Sequence, residues 1–188
     1  MRKSKPGIYK ALGADGFELC LPVNKEDYER INVEIGVGTP RQASWKRIPV
    51  RLIHEDEGKA LAMSDSPWLG YGPLIFRPVV VEALGSLLGE YGELLPLACS
   101  EADLMIYNPT LVLDALDESA SSIMRFPDGR IMLIQKHVFR SDVVGENDIF
   151  TIPTERVSPT FLSHRFVDRW KASGLKGLEF KQVWAAPN

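Results

Sequence analysis

The chain has 188 residues, 45% hydrophobic and 25% charged, with a formal net charge of −3 at neutral pH. A chain of this length buries roughly 70% of its unfolded surface, so it needs neither disulfides nor a structural metal, and 1–188 reads as a single domain. The slightly acidic balance argues against a nucleic-acid partner, which calls for a basic face. The apolar runs are too short to cross a bilayer, so no membrane is expected.

GIYKAL and FELCLPV, split by the turn-rich GADG, read as a first strand pair. Cys20 in the second run and Cys99 in LPLACS have no CxxC spacing and read as buried free thiols, suited to a reducing cytoplasm. The basic start MRKSKPG has no apolar stretch behind it and does not read as a signal peptide, so a cytoplasmic location is expected. NKEDYERIN reads as a short helix, with Asn24 as N-cap and Asp27 at the third helical position. IGVGTPRQAS is a connection, and RIPVRLIH alternates as a strand with Ile48, Val50 and Leu52 on one side. EDEGK after it is a solvated turn. SDSPWLGYGP is rich in turn formers yet carries Trp68 and Tyr71, residue types that anchor interfaces or fold down onto a core.

Val80, Val81, Leu84, Leu87, Leu88 and Tyr91 then form one apolar face of a helix over about 79–91. Pro78 fits its start and Gly92 the position just past its end. Gly85 and Gly89 share one side of it, either for a close backbone approach or as tolerated weak points. ELLPLACS and DLMIYNP read as strands, and TLVLDALDESAS is open between strand and short helix. SIMRFPDGRIMLIQKHVF is a hairpin turning at Pro-Asp-Gly, with Ile131, Leu133 and Gln135 alternating with Met132, Ile134 and Lys136. GENDIFTIP is a loop with a short extended piece. A helix over about 163–173 starts at Leu162 or Ser163, buries Phe166, Val167 and Trp170, and stops at Gly174. LEFKQVW alternates, with Leu178, Phe180 and Trp184 facing one way. The pattern predicts an α+β fold, mostly antiparallel sheet with hairpins, packed by two main helices.

The sequence announces no reaction. Ser163, His164 and Asp168 lie within six residues, but neighbouring helical positions diverge by about 100°, and a triad needs serine and imidazole in contact. No HExxH, Walker or GxGxxG signature is present, and no cofactor or metal site is expected. His54 and His137, near strand ends, read as surface or capping residues. Asp114 and Asp117 can share a helical face for a cation or acid–base work, or cap a solvated turn. A hydrolase or metal-dependent enzyme centred on that pair is therefore one reading.

Charge is the less ordinary feature. Between Arg77 and Arg125 there is no lysine or arginine, while Glu82, Glu90, Glu93, Glu101, Asp103, Asp114, Asp117 and Glu118 give that span −8 and leave +5 elsewhere. Such a span either steers a basic partner or scatters over unrelated faces. Glu101, Asp103, Asp114, Asp117 and Glu118, with Trp68 and Tyr71, are the candidate partner-binding residues.

YGELLPL, the YNPT–DALD segment, the S–I–RFPDGRIM hairpin, DIF–IP and a last helix running into GLKGLEF with a terminal tryptophan follow one another in order. Over roughly 74–184 the chain thereby resembles the eleventh family of immunity proteins of bacterial polymorphic toxin systems; residues 1–73 are less family-like. The resemblance implies a small cytoplasmic α+β protein that binds and neutralises a cognate toxin domain encoded beside it, with no catalytic residues and no cofactor. A structural or adaptor module of a secretion-linked locus is the other non-enzymatic reading.

Overall fold

The first strand lies in the middle of a sheet otherwise built from the end of the chain. The computed structural model describes residues 6–153 and 159–185, so the basic start at 1–5 lies outside the described residues. Strand β1 (Gly7–Gly13) pairs antiparallel with both β12 (Phe161–Ser163) and β13 (Leu178–Ala185), and β11 (Ile149–Phe150) adds to the far edge of β12. The expected pairing of the first two strands is therefore corrected. β2 (Leu19–Pro22) turns away and pairs with β3 (Val50–Ile53) instead.

Between these come α1 (Glu26–Glu34), then a small exposed hairpin of β4 (Glu55–Asp56) and β5 (Lys59–Ala60) where the solvated turn was expected. A three-stranded sheet follows, ordered β6 (Ile75–Phe76), β8 (Met105–Pro109), β7 (Gly92–Pro96), with α2 (Pro78–Tyr91) connecting β6 to β7. Next are the hairpin β9 (Ser122–Arg125) and β10 (Ile131–Lys136), the single turn α3 (Ser141–Val144), and α4 (His164–Ala172) between β12 and β13. The predicted α+β class and both main helices are present. Segment 110–121 is neither strand nor helix; it makes single bridges, Val112 to Thr151 and Leu116 to Phe139.

Strand alternation distributes the core. In the four-stranded sheet Ala11, Ile149 and Leu162 face the helices, where they meet Leu84 and Leu88 of α2 and Phe166 and Trp170 of α4. Their neighbours Ile8, Phe150 and Phe161 face the other way, onto Ala115, Leu116, Ile134 of β10 and Phe139. The three-stranded sheet divides likewise. Leu74, Phe76 and Tyr107 join the helix side, while Ile75, Leu95 and Ile106 pack on Cys20, Ile31, Ile48, Val50 and Leu52. Phe139 is a hub, with ring centroids 5.1 Å from Phe161, 5.7 Å from Phe150 and 5.9 Å from Trp184.

Three local expectations change. Phe180 and Trp184 do not share a face: Ile8 pairs with Trp184 and Tyr9 with Gln182, so Val183 is an extra residue that flips the strand. Phe180 packs on the helices, and Trp184 reaches the Phe139 cluster. Gly92 sits where expected but is extended, with φ 177°. A Cβ there would meet the Asn108 carbonyl at 2.4 Å, so close packing is what requires glycine. Asn24 does not cap α1; Lys25 holds that position, and the Asn24 amide donates to Asp27 Oδ2 at 3.0 Å. By contrast Gly174 stops α4 with φ 68°, as the sequence predicts.

Candidate functional site

The serine at the start of the last helix serves the scaffold. Ser163 is buried, and its Oγ accepts from the backbone N–H groups of Arg165 (3.1 Å) and Phe166 (3.2 Å), capping α4. The same hydroxyl donates to the carboxylate of Asp148, which also accepts from Arg165 Nε at 2.9 Å. Arg165 in turn reaches Glu146. The serine thus meets a carboxylate with no imidazole between them, and its oxygen is engaged with the helix terminus.

The candidate acids fall into two groups with different surroundings. Asp114 pairs with Arg140 at 2.9 Å and Glu118 with Arg125 at 2.5 Å. Asp117 accepts from Ser119 Oγ at 2.6 Å and from the backbone N–H groups of Ser119 and Ala120, both at 3.1 Å. Those bonds hold its carboxyl below the ordinary range. Asp117 therefore organises a turn, and the two aspartates bind separate partners. Glu101 lies on the β7–β8 connection, where it accepts from His54 Nε2 at 2.8 Å, while His54 Nδ1 stands 3.2 Å from buried Glu18. Asp103 is on the same connection, exposed beside Arg47 and Glu82. Among the described residues, no group of three or more His, Cys, Asp and Glu side chains is placed to hold a metal. Cys20 is buried, and burial pushes its thiol up to about 12; Cys99 is half-buried, less enclosed than expected.

Trp68 and Tyr71 occupy a different place. Their loop is fixed by Cys20 N–H donating to the Trp68 carbonyl at 3.0 Å and by Ser66 Oγ donating to the Ile75 carbonyl at 2.7 Å. The indole lies directly on Gly13 of β1, where a Cβ would be 2.6 Å from its Cγ. Thus Trp68 and Tyr71 neither sink fully into the core nor project freely. They form one wall of a cleft of about 490 Å³, whose other walls are Lys10 and Leu12 of β1, Asn32 of α1, and Leu133, Ile134 and His137 at β10. Asn32 Oδ1 and Tyr71 Oη, on two of the lining residues, are buried, and among the described residues neither has a hydrogen-bond partner. Burial pushes the Tyr71 hydroxyl up to about 12. Burial, with Lys10 nearby, lowers His137 to about 4, so its ring is neutral at pH 7.

The cleft opens onto the outward face of the β9–β10 hairpin. Leu133 is 52% exposed, Met132 49%, Met124 43% and Phe126 41%. Met124 and Leu133 are direct cross-strand partners, and Met132 and Gln135 are the extra residues at two bulges in β10. Four large apolar side chains at the surface of one hairpin form the kind of patch that marks an interaction site. Two are methionines, whose unbranched chains adapt to a partner's shape. This face was not among the candidates read from the sequence. A partial signal was present, because both alternating sets of the second arm carry apolar residues; the bulge at Met132, which exposes it beside Leu133 of the other set, has no local signature.

Residues 104–185 match the model of an immunity protein family, Imm11. The resemblance read from YNPT–DALD, RFPDGRIM and GLKGLEF is thus borne out over that span, which contains the hairpin and β10's side of the cleft. The Trp68–Tyr71 wall, β1 and α1 precede it. No curated protein matches the chain.

Proposed function

We propose that this chain is an immunity protein of a bacterial polymorphic toxin system, acting in the cytoplasm by covering a cognate toxin domain stoichiometrically. The observation that carries this reading is the family match over residues 104–185. The exposed apolar hairpin inside that match supports it, because such a patch is suited to a protein partner. In this reading the chain is one domain, since β1 is bracketed by β12 and β13, and it takes neither nucleic acid nor a bilayer as partner.

Trp68 and Tyr71 contribute to the covering surface from the cleft. Glu118 reaches the hairpin through its pair with Arg125, and Asp114 and Asp117 add their charge from the segment just before it. Glu101 and Asp103, on the β7–β8 connection, add to a long-range field that speeds encounter with a basic toxin. No step of bond making is assigned to any of them. The test is co-expression with the toxin domain encoded by the adjacent reading frame. Cells carrying both should grow, and cells carrying the toxin alone should not; unchanged killing removes the reading.

A second reading is a self-associating adaptor, favoured by the same exposed hairpin, because an apolar face suits a second copy as well as a toxin. Sedimentation at increasing concentration separates the two. A monomer throughout removes the adaptor.

A further inference from the structure

We infer that the cleft between Trp68 and Leu133, together with the outward face of the β9–β10 hairpin, receives a toxin segment that pairs an apolar side chain with a carboxylate. The inference rests on the immunity reading and adds to it the place of contact and the chemistry of the contacting segment. Three observations carry it.

The first is the apolar continuity described above. Leu133 belongs both to the exposed hairpin face and to the cleft, and Leu12, 38% exposed, continues the surface on β1. An apolar anchor entering between Trp68 and Leu133 leaves water on every side, the position from which a buried anchor contributes most.

The second is charge. The arginines at the hairpin and its flank are matched by the chain's own acids: Arg125 by Glu118, Arg130 by Asp128 and Arg140 by Asp114. The lysines are not. Lys10 lines the cleft, and Lys181 is its cross-strand partner, so both ammonium groups rise from one face of the sheet. Lys136 is exposed on β10, next to His137 of the cleft wall. Among the described residues none of the three has an ion-pair partner. Among the described residues Glu179, opposite Leu12, is a carboxylate on this strip, and Glu29 of α1 lies close enough to Tyr71 to push its hydroxyl up, so the three lysines face two acids. The surplus beside the cleft is positive, which complements a carboxylate on the entering segment. This sign is opposite to that of the acid-rich span as a whole, so contact and long-range steering make separable demands on the toxin.

The third is the position of the walls along the chain. They come from two parts of it, β10 within the family match and β1, α1 and the Trp68 loop before it. A site there joins the matched part of the chain to the part outside the match.

The test uses the full-length chain and the toxin domain from the adjacent reading frame, with calorimetric Kd and hydrogen exchange of the wild-type complex. Leu133→Asp and Lys10→Glu should each raise Kd tenfold or more at an unchanged melting temperature, whereas Lys59→Gln, on the exposed strand β5, should change it less than threefold. Residues 131–136 and 68–72 should gain exchange protection on binding, a readout that requires no variant to fold. If the wild type binds but neither region is protected and both variants bind within threefold, the site is wrong and the immunity reading stands. If the wild type neither binds nor protects cells, that reading falls and the inference with it. A concentration-dependent dimer abolished by Leu133→Asp, with toxin binding unchanged, assigns the face to a second copy and overturns the inference.

Discussion

Trp68 and Leu133 line one cleft, although the first belongs to the loop before β6 and the second to the hairpin arm β10. Their meeting depends on Gly13, the flat stretch of β1 on which the indole rests. A methyl group at Gly13 would fall within 2.6–2.8 Å of three indole-side-chain atoms. Gly13→Ala should therefore displace Trp68, with an overpacking cost of about 1–3 kcal/mol. Urea denaturation and the tryptophan emission maximum read the two effects, and toxin affinity should fall with them.

Ser163 gives a prediction that separates scaffold from catalysis. Ser163→Ala removes the N-cap of α4 and a hydrogen-bond donor to the Asp148 carboxylate. The loss of the cap alone costs about 1 kcal/mol, and the lost hydrogen bond to Asp148, which keeps its bond from Arg165 Nε, adds about 0.5–1.5 kcal/mol. Denaturant midpoints should show that loss, and Ser163→Thr should recover most of it. Toxin binding per folded molecule should stay the same.

The histidines predict two opposed pH effects on stability. Burial and Lys10 lower His137 to about 4, from 6.5 for an ordinary imidazole. Between those values the unfolded chain binds the extra proton, so stability rises with pH from about 4 to 6.5, by at most about 3 kcal/mol. His137→Gln should flatten that slope. His54 is raised instead, chiefly by its hydrogen bond to Glu101. Its contribution is complete below pH 6.5 and is lost as pH climbs through the raised value. His54→Gln should remove a small decline on the alkaline side of neutrality, measured by thermal midpoints across pH 4–9.

The acid-rich span predicts a kinetic effect. If Glu101, Asp103 and their neighbours steer a basic toxin, the association rate should fall as salt rises from about 0.01 to 0.15 M, over which the screening length shrinks from about 30 to 8 Å. Stopped-flow association at the two salt concentrations measures it. An unchanged rate discards the steering and leaves the contact surface untouched.

Much of the local structure was legible because it is set by neighbours in sequence. Pro78 with the Val80–Leu88 stripe, Ser163 with Gly174, and Pro-Asp-Gly at the hairpin each carry their own punctuation, and each element stands where expected. Pairing was less legible, because β1 chooses partners from the far end of the chain and no local pattern names them. The single extra residue Val183 moved Trp184 to the opposite core from Phe180, a change that alternation cannot foresee. For the site, Trp68 and Tyr71 could be singled out by residue type. Their companions Leu133, Leu12 and Asn32 become neighbours only through tertiary packing. The acids were visible as a charge imbalance, while the arginines that pair with Asp114 and Glu118 come from the hairpin and its flank.

On the proposed reading, this chain works by occupying a toxin. The check is to titrate a fixed amount of the toxin domain with the purified chain and follow the toxin's own activity. Occlusion predicts a linear loss of activity that ends sharply at one chain per toxin. Full loss at a small fraction of that amount, or full activity at a large excess, contradicts it.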